Sequence, residues 1–195
     1  MKRNSSYQWK LFSLTSLIEV ICVAFCLLLF VPGFKDLFIE YLYWTDIEQV
    51  TEDFEIYRVI TPTFLVYPTL MIFFCLGPFE LFGRAIERHF GAFKLGYIFI
   101  ILAIVCNVIQ MICIMHGILY FSMFGVVFGL VGYLCILSLR KDLPDDLRLP
   151  LGFLYVVGFF TIDFFVWFGI QSFGFVGSTF VGMYIGYLDY KRPPK

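Results

Sequence analysis

The segment 120-YFSMFGVVFGLVGY-133 carries no charge and is apolar enough to form one membrane helix. Gly125 and Gly129 are four residues apart, and Gly132 follows within one further turn. Small residues at this spacing let membrane helices approach each other closely. The segment therefore predicts a buried helix that packs against a neighbour. A large ring, Phe124, directly precedes the first of these glycines.

The rest of the chain also has the composition of a membrane protein. Its 195 residues are 61% hydrophobic, 21% aromatic and only 15% charged, whereas soluble domains carry about 25% charged residues. A net charge of −1 gives no reason to expect a nucleic-acid partner. The six cysteines lie in apolar runs, which favours buried thiols over a disulfide framework. No cofactor motif or metal-ligand pattern is visible, so no cofactor or metal is expected.

Six apolar runs are long enough to cross a bilayer, since about 20 helical residues span its hydrocarbon core. They are predicted at about 11–31, 61–82, 94–115, 119–139, 149–168 and 172–188. The second run contains Gly77-Pro78, where a break is expected. Because the runs are continuous rather than alternating, helices are favoured over a barrel. We predict an all-α polytopic membrane protein in which 1–195 form a single six-helix domain.

Lys and Arg are distributed unevenly between the two sides of this predicted bundle. The N-terminal segment, the loops after the second and fourth spans and the C-terminal tail carry twelve of the 14 positive residues. Only Lys35 and Arg58 fall on the opposite side. Positive loops stay on the cytoplasmic side, so both termini are predicted there, or in the matrix if the membrane is mitochondrial. We interpret the first run as an uncleaved helix rather than a signal peptide.

The first loop, 32–60, is long, acidic and rich in aromatic residues. Long loops in compact proteins are usually functional or disordered, and Trp and Tyr favour the membrane interface. We predict a structured loop lying on the membrane surface. A solvated connector is the alternative.

Several short motifs occur in a fixed order along the chain. They are Tyr57 and Arg58 in the first loop; Gly83, Glu87 and Gly91 after the second span; Gly125, Gly129 and Gly132 in the fourth span; and Gly182 and Gly186 in the sixth. In their order and loop placement, over about residues 53–188, these motifs resemble the rhomboid superfamily. The resemblance implies a rhomboid-like six-helix bundle in which these residues form the scaffold.

The resemblance also implies that catalysis is lost. Active rhomboids are Ser–His intramembrane proteases, and their serine and histidine positions correspond here to Phe124 and Thr179. The positions that support the oxyanion correspond to Met71 and Cys75. A nucleophile needs an adjacent base, and the oxyanion needs a placed donor. The chain is therefore not expected to be an enzyme.

Two shifted arrangements remain as alternatives. His116 and Ser122 could form a dyad near the other membrane face, but without the geometry of the sixth span. Cys75 could act as a nucleophile, but no base is placed for it. An active protease of this unusual kind is the least favoured interpretation.

The inactive relatives are derlins, inactive rhomboids and the ubiquitin-associated-domain rhomboid relatives. They bind transmembrane clients in membrane-protein quality control, degradation and trafficking. By resemblance, this chain is expected to bind such clients between its second and fifth spans, in the endoplasmic reticulum. The alternative is a structural subunit of a larger membrane complex, with the mitochondrial inner membrane as its location. In either case the partners are membrane proteins and the lipid bilayer.

Ionisable residues within apolar spans are functional hypotheses, because a charge in lipid is costly. Glu19, Asp163 and Trp167 are candidates for contact with a client or partner. For Glu19 the alternative is that it faces a neighbouring helix, protonated or hydrogen-bonded to Thr, Ser or Asn. Glu80 follows Gly77-Pro78 and is expected to be structural.

Four further polar side chains are expected to be architectural. Arg58 should anchor the first loop by binding carbonyls or an acid, and Glu87 should satisfy N–H groups of the turn before Gly91. Asn107 and Gln110 should bond to neighbouring helices.

Overall fold

A computed structural model describes residues 13–42, 55–66, 72–113, 122–140, 142–149 and 173–191. Within these ranges all regular structure is helical. The α-helices are α1 (Leu14–Leu28), α2 (Phe34–Leu42), α3 (Ile72–Phe90), α4 (Ala92–Cys113), α5 (Ser122–Leu137) and α6 (Phe173–Tyr190). Short 3-10 turns occur at Ile56–Val59, Thr61–Phe64 and Asp145–Leu147.

Five of these helices correspond to predicted spans. They are α1, α3, α4, α5 and α6, which match the first, second, third, fourth and sixth spans. Within the described residues, 92–112 form one helix long and apolar enough to cross a membrane, and α1 and most of α5 are shorter apolar helices. The predicted fifth span, 149–168, lies outside the described residues apart from Leu149, as do Asp163 and Trp167.

The second span differs from its prediction at both ends. A 3-10 turn occupies Thr61–Phe64 at the predicted start, and the described helix α3 runs from Ile72. It then continues through Pro78 to Phe90, beyond the predicted end at residue 82. Pro62 lies in the first turn of the 3-10 segment, where its fixed φ and missing N–H are tolerated. The expected break at Gly77-Pro78 is absent, as membrane helices accommodate proline when other groups satisfy the freed carbonyl.

The first loop contains a helix of its own, α2. Phe38 of α2 is buried, and its ring lies 5.6 Å from that of Phe25 in α1, edge to face. Phe34 packs on the same pair. At the end of α2, the Thr61 hydroxyl donates to the carbonyl of Leu42. Aromatic packing and this hydrogen bond hold the described part of the loop against α1.

The centre of the fold is α5, whose residues 123–134 are all buried. It packs against α3, α4 and α6, and Gly132, Gly182 and Gly186 set its distance to α6. A Cβ at Gly132 would overlap the carbonyl of Thr179, and one at Gly186 would meet the carbonyl of Tyr133 at 2.5 Å. The predicted close packing of the glycine-rich segment therefore occurs: Gly132 faces α6, whereas a Cβ at Gly125 or Gly129 would meet the Cys106 or Leu102 side chain of α4.

Candidate functional site

The position that the resemblance assigns to a serine nucleophile is filled by a buried aromatic ring. Phe124 in the first turn of α5 is 6% exposed. Its ring centroid lies 6.3 Å from that of Phe175 in α6. Phe128, one turn further along α5, stacks on the same ring at 5.9 Å. Three phenyl rings thus pack together where α5 meets α6, and none of them can act as a nucleophile or a base.

The hydroxyl at the histidine position is used within its own helix. Thr179 Oγ1 donates a hydrogen bond of 2.8 Å to the carbonyl of Phe175, one turn earlier in α6. Serine and threonine in membrane helices commonly bond back to the carbonyl four residues before. A threonine hydroxyl also has no pKa suited to general base catalysis. The described part of this site therefore offers no activated proton acceptor.

The remaining candidate catalytic residues are only partly within the described chain. Cys75 is fully buried in α3, whereas Met71 and His116 lie outside the described residues, as does the Ser122 side chain. A hydroxyl that sequence reasoning missed, Ser178 Oγ, lies 3.4 Å from the carbonyl oxygen of Leu102 and is also fully buried. Among the described residues, no group of three His, Cys, Asp or Glu side chains could hold a metal ion.

Glu87 binds the start of α1, and not the turn before Gly91 that its sequence position suggests. Its carboxylate accepts from the backbone N–H of Leu14 at 2.8 Å and of Thr15 at 3.0 Å, and from the Thr15 hydroxyl at 2.7 Å. These N–H groups begin α1 and have no partner within that helix. Ser13 supplies the remaining cap by accepting from the N–H of Ser16. Glu87 therefore caps α1 rather than the turn before Gly91, and its charge is favourable at a helix N-terminus.

Gly83 and Gly91, which flank Glu87 in the same motif, have different structural roles. Gly83 lies one turn before Glu87, and a Cβ there would come within 3.0 Å of the Thr15 side chain. Gly91 has a φ of 87°, and its N–H bonds to the carbonyl of Glu87 as α3 ends. Only glycine adopts such a φ readily. The motif therefore leaves space for α1, caps it and then ends α3.

The Tyr57-Arg58 pair anchors the first loop through contacts with another residue of the same loop. Arg58 is buried, and its Nε forms an ion pair with Glu55. Tyr57 donates to the other oxygen of Glu55 at 3.1 Å. The hydrogen bond from Arg58 lowers the pKa of the Glu55 carboxyl below its ordinary value. Arg58 thus binds an acid, one of the two partners that we expected for it.

A buried amide holds the same loop onto α4. The Asn107 side-chain nitrogen donates to the carbonyl of Val59 at 2.8 Å and to the Thr63 hydroxyl at 2.9 Å. Among the described residues, Asn107 therefore bonds to the 3-10 turns that precede α3 rather than to a neighbouring α-helix. Gln110, one turn along α4, is also buried.

Glu19 lies within α1 and faces two charged residues of α3. Glu80 and Arg84 are its electrostatic neighbours, and these two form an ion pair one turn apart on α3. Arg84 also donates to the hydroxyl of Ser16 at 3.1 Å. The structure therefore places Glu19 in a polar contact inside this chain, between α1 and α3.

A second charged cluster, centred on Asp189, was not anticipated from sequence. Asp189 Oδ2 accepts from Lys94 Nζ at 2.6 Å and from the Tyr133 hydroxyl at 3.0 Å. Arg140 donates to the Asp189 carbonyl at 3.4 Å. These contacts join α4, α5 and α6 at one end of the bundle. In the sequence, the only sign of this cluster was the position of Asp189, an acidic residue in the last turn of an apolar helix.

The packed glycine interface of α5 and α6, the capped α1 and the anchored first loop together define an all-helical membrane scaffold. The rhomboid domain family matches residues 53–192 of the chain. The chain therefore belongs to the rhomboid family and is an integral membrane protein.

A relative with a described activity covers nearly the whole chain. The rhomboid protease GlpG of Haemophilus influenzae is 28% identical over 181 residues, which are 89% of this chain and 91% of GlpG. That relative is a protease by name.

Proposed function

We propose that this chain is a non-catalytic member of the rhomboid family that binds transmembrane segments of other membrane proteins. The observation that carries the loss of catalysis is the burial of Phe124 against Phe175. The serine position of a protease must be open to substrate and hydrogen-bonded to a base. Here it is closed by rings, and Thr179 bonds to its own helix.

The intact scaffold supports a binding role. A rigid, non-catalytic bundle fits three features of the fold. They are the close glycine interface, the capping of α1 by Glu87 and the pairing of Arg58 with Glu55. By family resemblance, the client would enter between the second and fifth spans, where Asp163 and Trp167 are proposed to contact it. We place this function in quality control, degradation or trafficking at the endoplasmic reticulum.

Loss of catalysis is tested with purified chain and a model transmembrane substrate in proteoliposomes. We expect no cleavage and no labelling by a serine-directed activity probe, while GlpG of Haemophilus influenzae serves as the active control. Reproducible cleavage that disappears in Ser122→Ala would overturn the proposal, because it would identify Ser122 as a shifted nucleophile.

Client binding is tested by photo-crosslinking in cells. A photoreactive residue replaces Trp167 in one variant and Phe180 in the matched control, since Phe180 is exposed on α6, the sixth span, and not on the second or fifth. We expect position 167 to crosslink to varied membrane proteins together with degradation machinery. Equal products at both positions would contradict client entry at the fifth span. A few partners of constant stoichiometry would instead support the structural-subunit alternative in the mitochondrial inner membrane.

A further inference from the structure

A cavity of about 350 Å³ lies between the second half of α3 and the segment 145–149. Small-molecule sites range from about 300 to 1,000 Å³. Six charged side chains line it: Glu80, Arg84, Arg88, Asp145, Asp146 and Arg148. The cavity shares none of its charged residues with the Phe124 site or with the rhomboid scaffold motifs.

The charges in the cavity balance each other. Three are arginines and three are carboxylates, so a ligand with one positive and one negative group matches them better than a net anion. Arg88 lies 3.1 Å from Asp146, and Arg148 lies 3.4 Å from Asp145. Both pairs are substantially exposed, and exposed pairs contribute little to stability. Arg88 can therefore turn to a ligand at low cost, and Asp146 would keep its contact with His89 at 2.9 Å.

One carboxylate oxygen in the cavity lacks a hydrogen-bond donor. Glu80 Oε2 is buried and has no hydrogen-bond partner within the described residues. Buried polar atoms are nearly always satisfied in folded proteins. Its other oxygen pairs with Arg84, and the carboxyl of Glu19 approaches from α1 as a further polar neighbour. An ammonium group supplies three donors from one point, so it would suit Glu80 and the adjacent acidic rim.

The cavity also has an apolar wall. Leu81 of α3 is 63% exposed beside it, and Leu134 and Leu149 line its inner side. In an integral membrane protein, an exposed leucine next to an arginine cluster marks the boundary between acyl chains and headgroups. A ligand held here would therefore have an apolar tail along α3 and a polar head among the charges.

We propose that this cavity binds the headgroup of phosphatidylethanolamine. Arg88 and Arg148 face the phosphate, and Glu80 and Asp145 face the primary ammonium. Choline headgroups are instead recognised by exposed aromatic faces, and Phe82, the aromatic side chain among the described lining residues, is only 4% exposed. The chemistry therefore selects an ammonium that donates hydrogen bonds over a methylated one.

The test is native mass spectrometry of the full chain in detergent, titrated with phosphatidylethanolamine, phosphatidylcholine and phosphatidylglycerol of identical acyl chains. We expect the ethanolamine lipid to bind about tenfold more tightly than the other two, which is a usual step for one well-placed charged contact. Arg148→Gln and Asp145→Asn should each remove most of this preference. Lys191→Gln and Asp142→Asn are the matched controls, because both side chains are charged but do not line the cavity.

Several results would overturn the proposal. Equal binding of the three lipids would indicate a non-selective annulus, and preference for phosphatidylglycerol would indicate an anion site. An equal loss in the control variants would show that net charge, and not the cavity, governs binding. Soluble phosphoethanolamine is added as a competitor. If it displaces the lipid when present at the same concentration as the lipid, the site would be assigned to a free metabolite. Two independent variants keep the test decisive if one of them does not fold.

Discussion

Gly182 of α6 packs directly on the carbonyl of Gly129 in α5, so that a Cβ at position 182 would overlap the oxygen and the Cα of Gly129. The contact is with backbone, which cannot turn aside as a side chain can. Gly132 and Gly186 make equivalent contacts with the opposite helix. The bundle therefore depends on small residues along one line where α5 and α6 meet, in the manner of other membrane helix pairs.

Gly182→Ala should destabilise the protein, because the added methyl forces α5 and α6 apart. Overpacking costs about 1–3 kcal/mol in well-packed cores, and we expect the upper end of that range here. The melting temperature of purified protein in detergent measures the effect. Gly177→Ala in the same helix is the matched control, since its Cβ would clash only with the far end of the Ile109 side chain. Equal losses in both variants would contradict a backbone contact as the cause.

The capping of α1 by Glu87 predicts coupling between two distant residues. Glu87→Ala leaves the N–H groups of Leu14 and Thr15 without acceptors, and hydrogen bonds to charged groups are worth about 1.5–3 kcal/mol. We expect a lower melting temperature and faster proteolysis at the start of α1. Glu87→Gln, which keeps one acceptor oxygen, should show a smaller loss.

A double-mutant cycle with Thr15→Val isolates the side-chain part of this contact. Val has nearly the shape of Thr but cannot donate the 2.7 Å hydrogen bond to Glu87. If the contact exists, the sum of the two single losses should exceed the loss in the double variant. Strict additivity would place Glu87 elsewhere, for instance in the turn before Gly91.

These contacts mark the limit of sequence reasoning for this fold. The glycines of α5 and α6 lie at fixed helical spacing, so close packing can be predicted from local pattern alone. The partner of Glu87 cannot, because Leu14 is 73 residues away and only tertiary structure brings it near. The rule that proline breaks a helix holds best in water, and here α3 continues through Pro78. Asp189 and Lys94 are likewise distant in sequence, and neither has a motif.

Asp189 should be required for stability at its end of the bundle. Asp189→Ala removes the acceptor of both Lys94 and the buried Tyr133 hydroxyl, and a loss of about 1.5–3 kcal/mol is expected for charged hydrogen bonds of this kind. Thermal unfolding in detergent measures it. Glu40→Gln is the control, because Glu40 is exposed on α2, outside the Asp189 cluster, and its loss should leave the melting temperature unchanged. A comparable fall in Glu40→Gln would show that net charge is responsible.

The pairing of Glu55 with Arg58 predicts a defined pH dependence for the first loop. The hydrogen bond from Arg58 lowers the pKa of Glu55 from its ordinary value of 4.5. A group with a depressed folded pKa stabilises the folded state fully above its unfolded pKa, and this stabilisation is lost as pH falls through the folded pKa. The loop should therefore be unaffected near neutrality and loosen only below about pH 4.5.

A carboxyl NMR titration of Glu55 checks this directly. In Arg58→Gln the pKa of Glu55 should rise toward 4.5, whereas Lys35→Gln, which removes a charge elsewhere in the first loop, should leave it unchanged. A shift of the same size in both variants would assign the depressed pKa to the general charge of the loop.

Restoring the two missing catalytic side chains should not restore proteolysis. Phe124→Ser with Thr179→His supplies a hydroxyl and an imidazole, but Cys75 is a buried thiol and Met71 a thioether, so neither supplies a strong oxyanion donor. Losing the buried Phe124 ring should also cost about 3–5 kcal/mol, so folding is verified first by monodispersity and melting temperature.

Cleavage of a transmembrane substrate by this double variant is then measured beside GlpG of Haemophilus influenzae as the active control. The matched inactive control is Phe124→Ala with Thr179→His, which opens the same space and adds the same imidazole but has no hydroxyl to attack the substrate. We expect both folded variants to be equally inactive. Robust cleavage by the Phe124→Ser variant and none by the Phe124→Ala variant would show that the scaffold still supports catalysis, and that Phe124 and Thr179 alone prevent it.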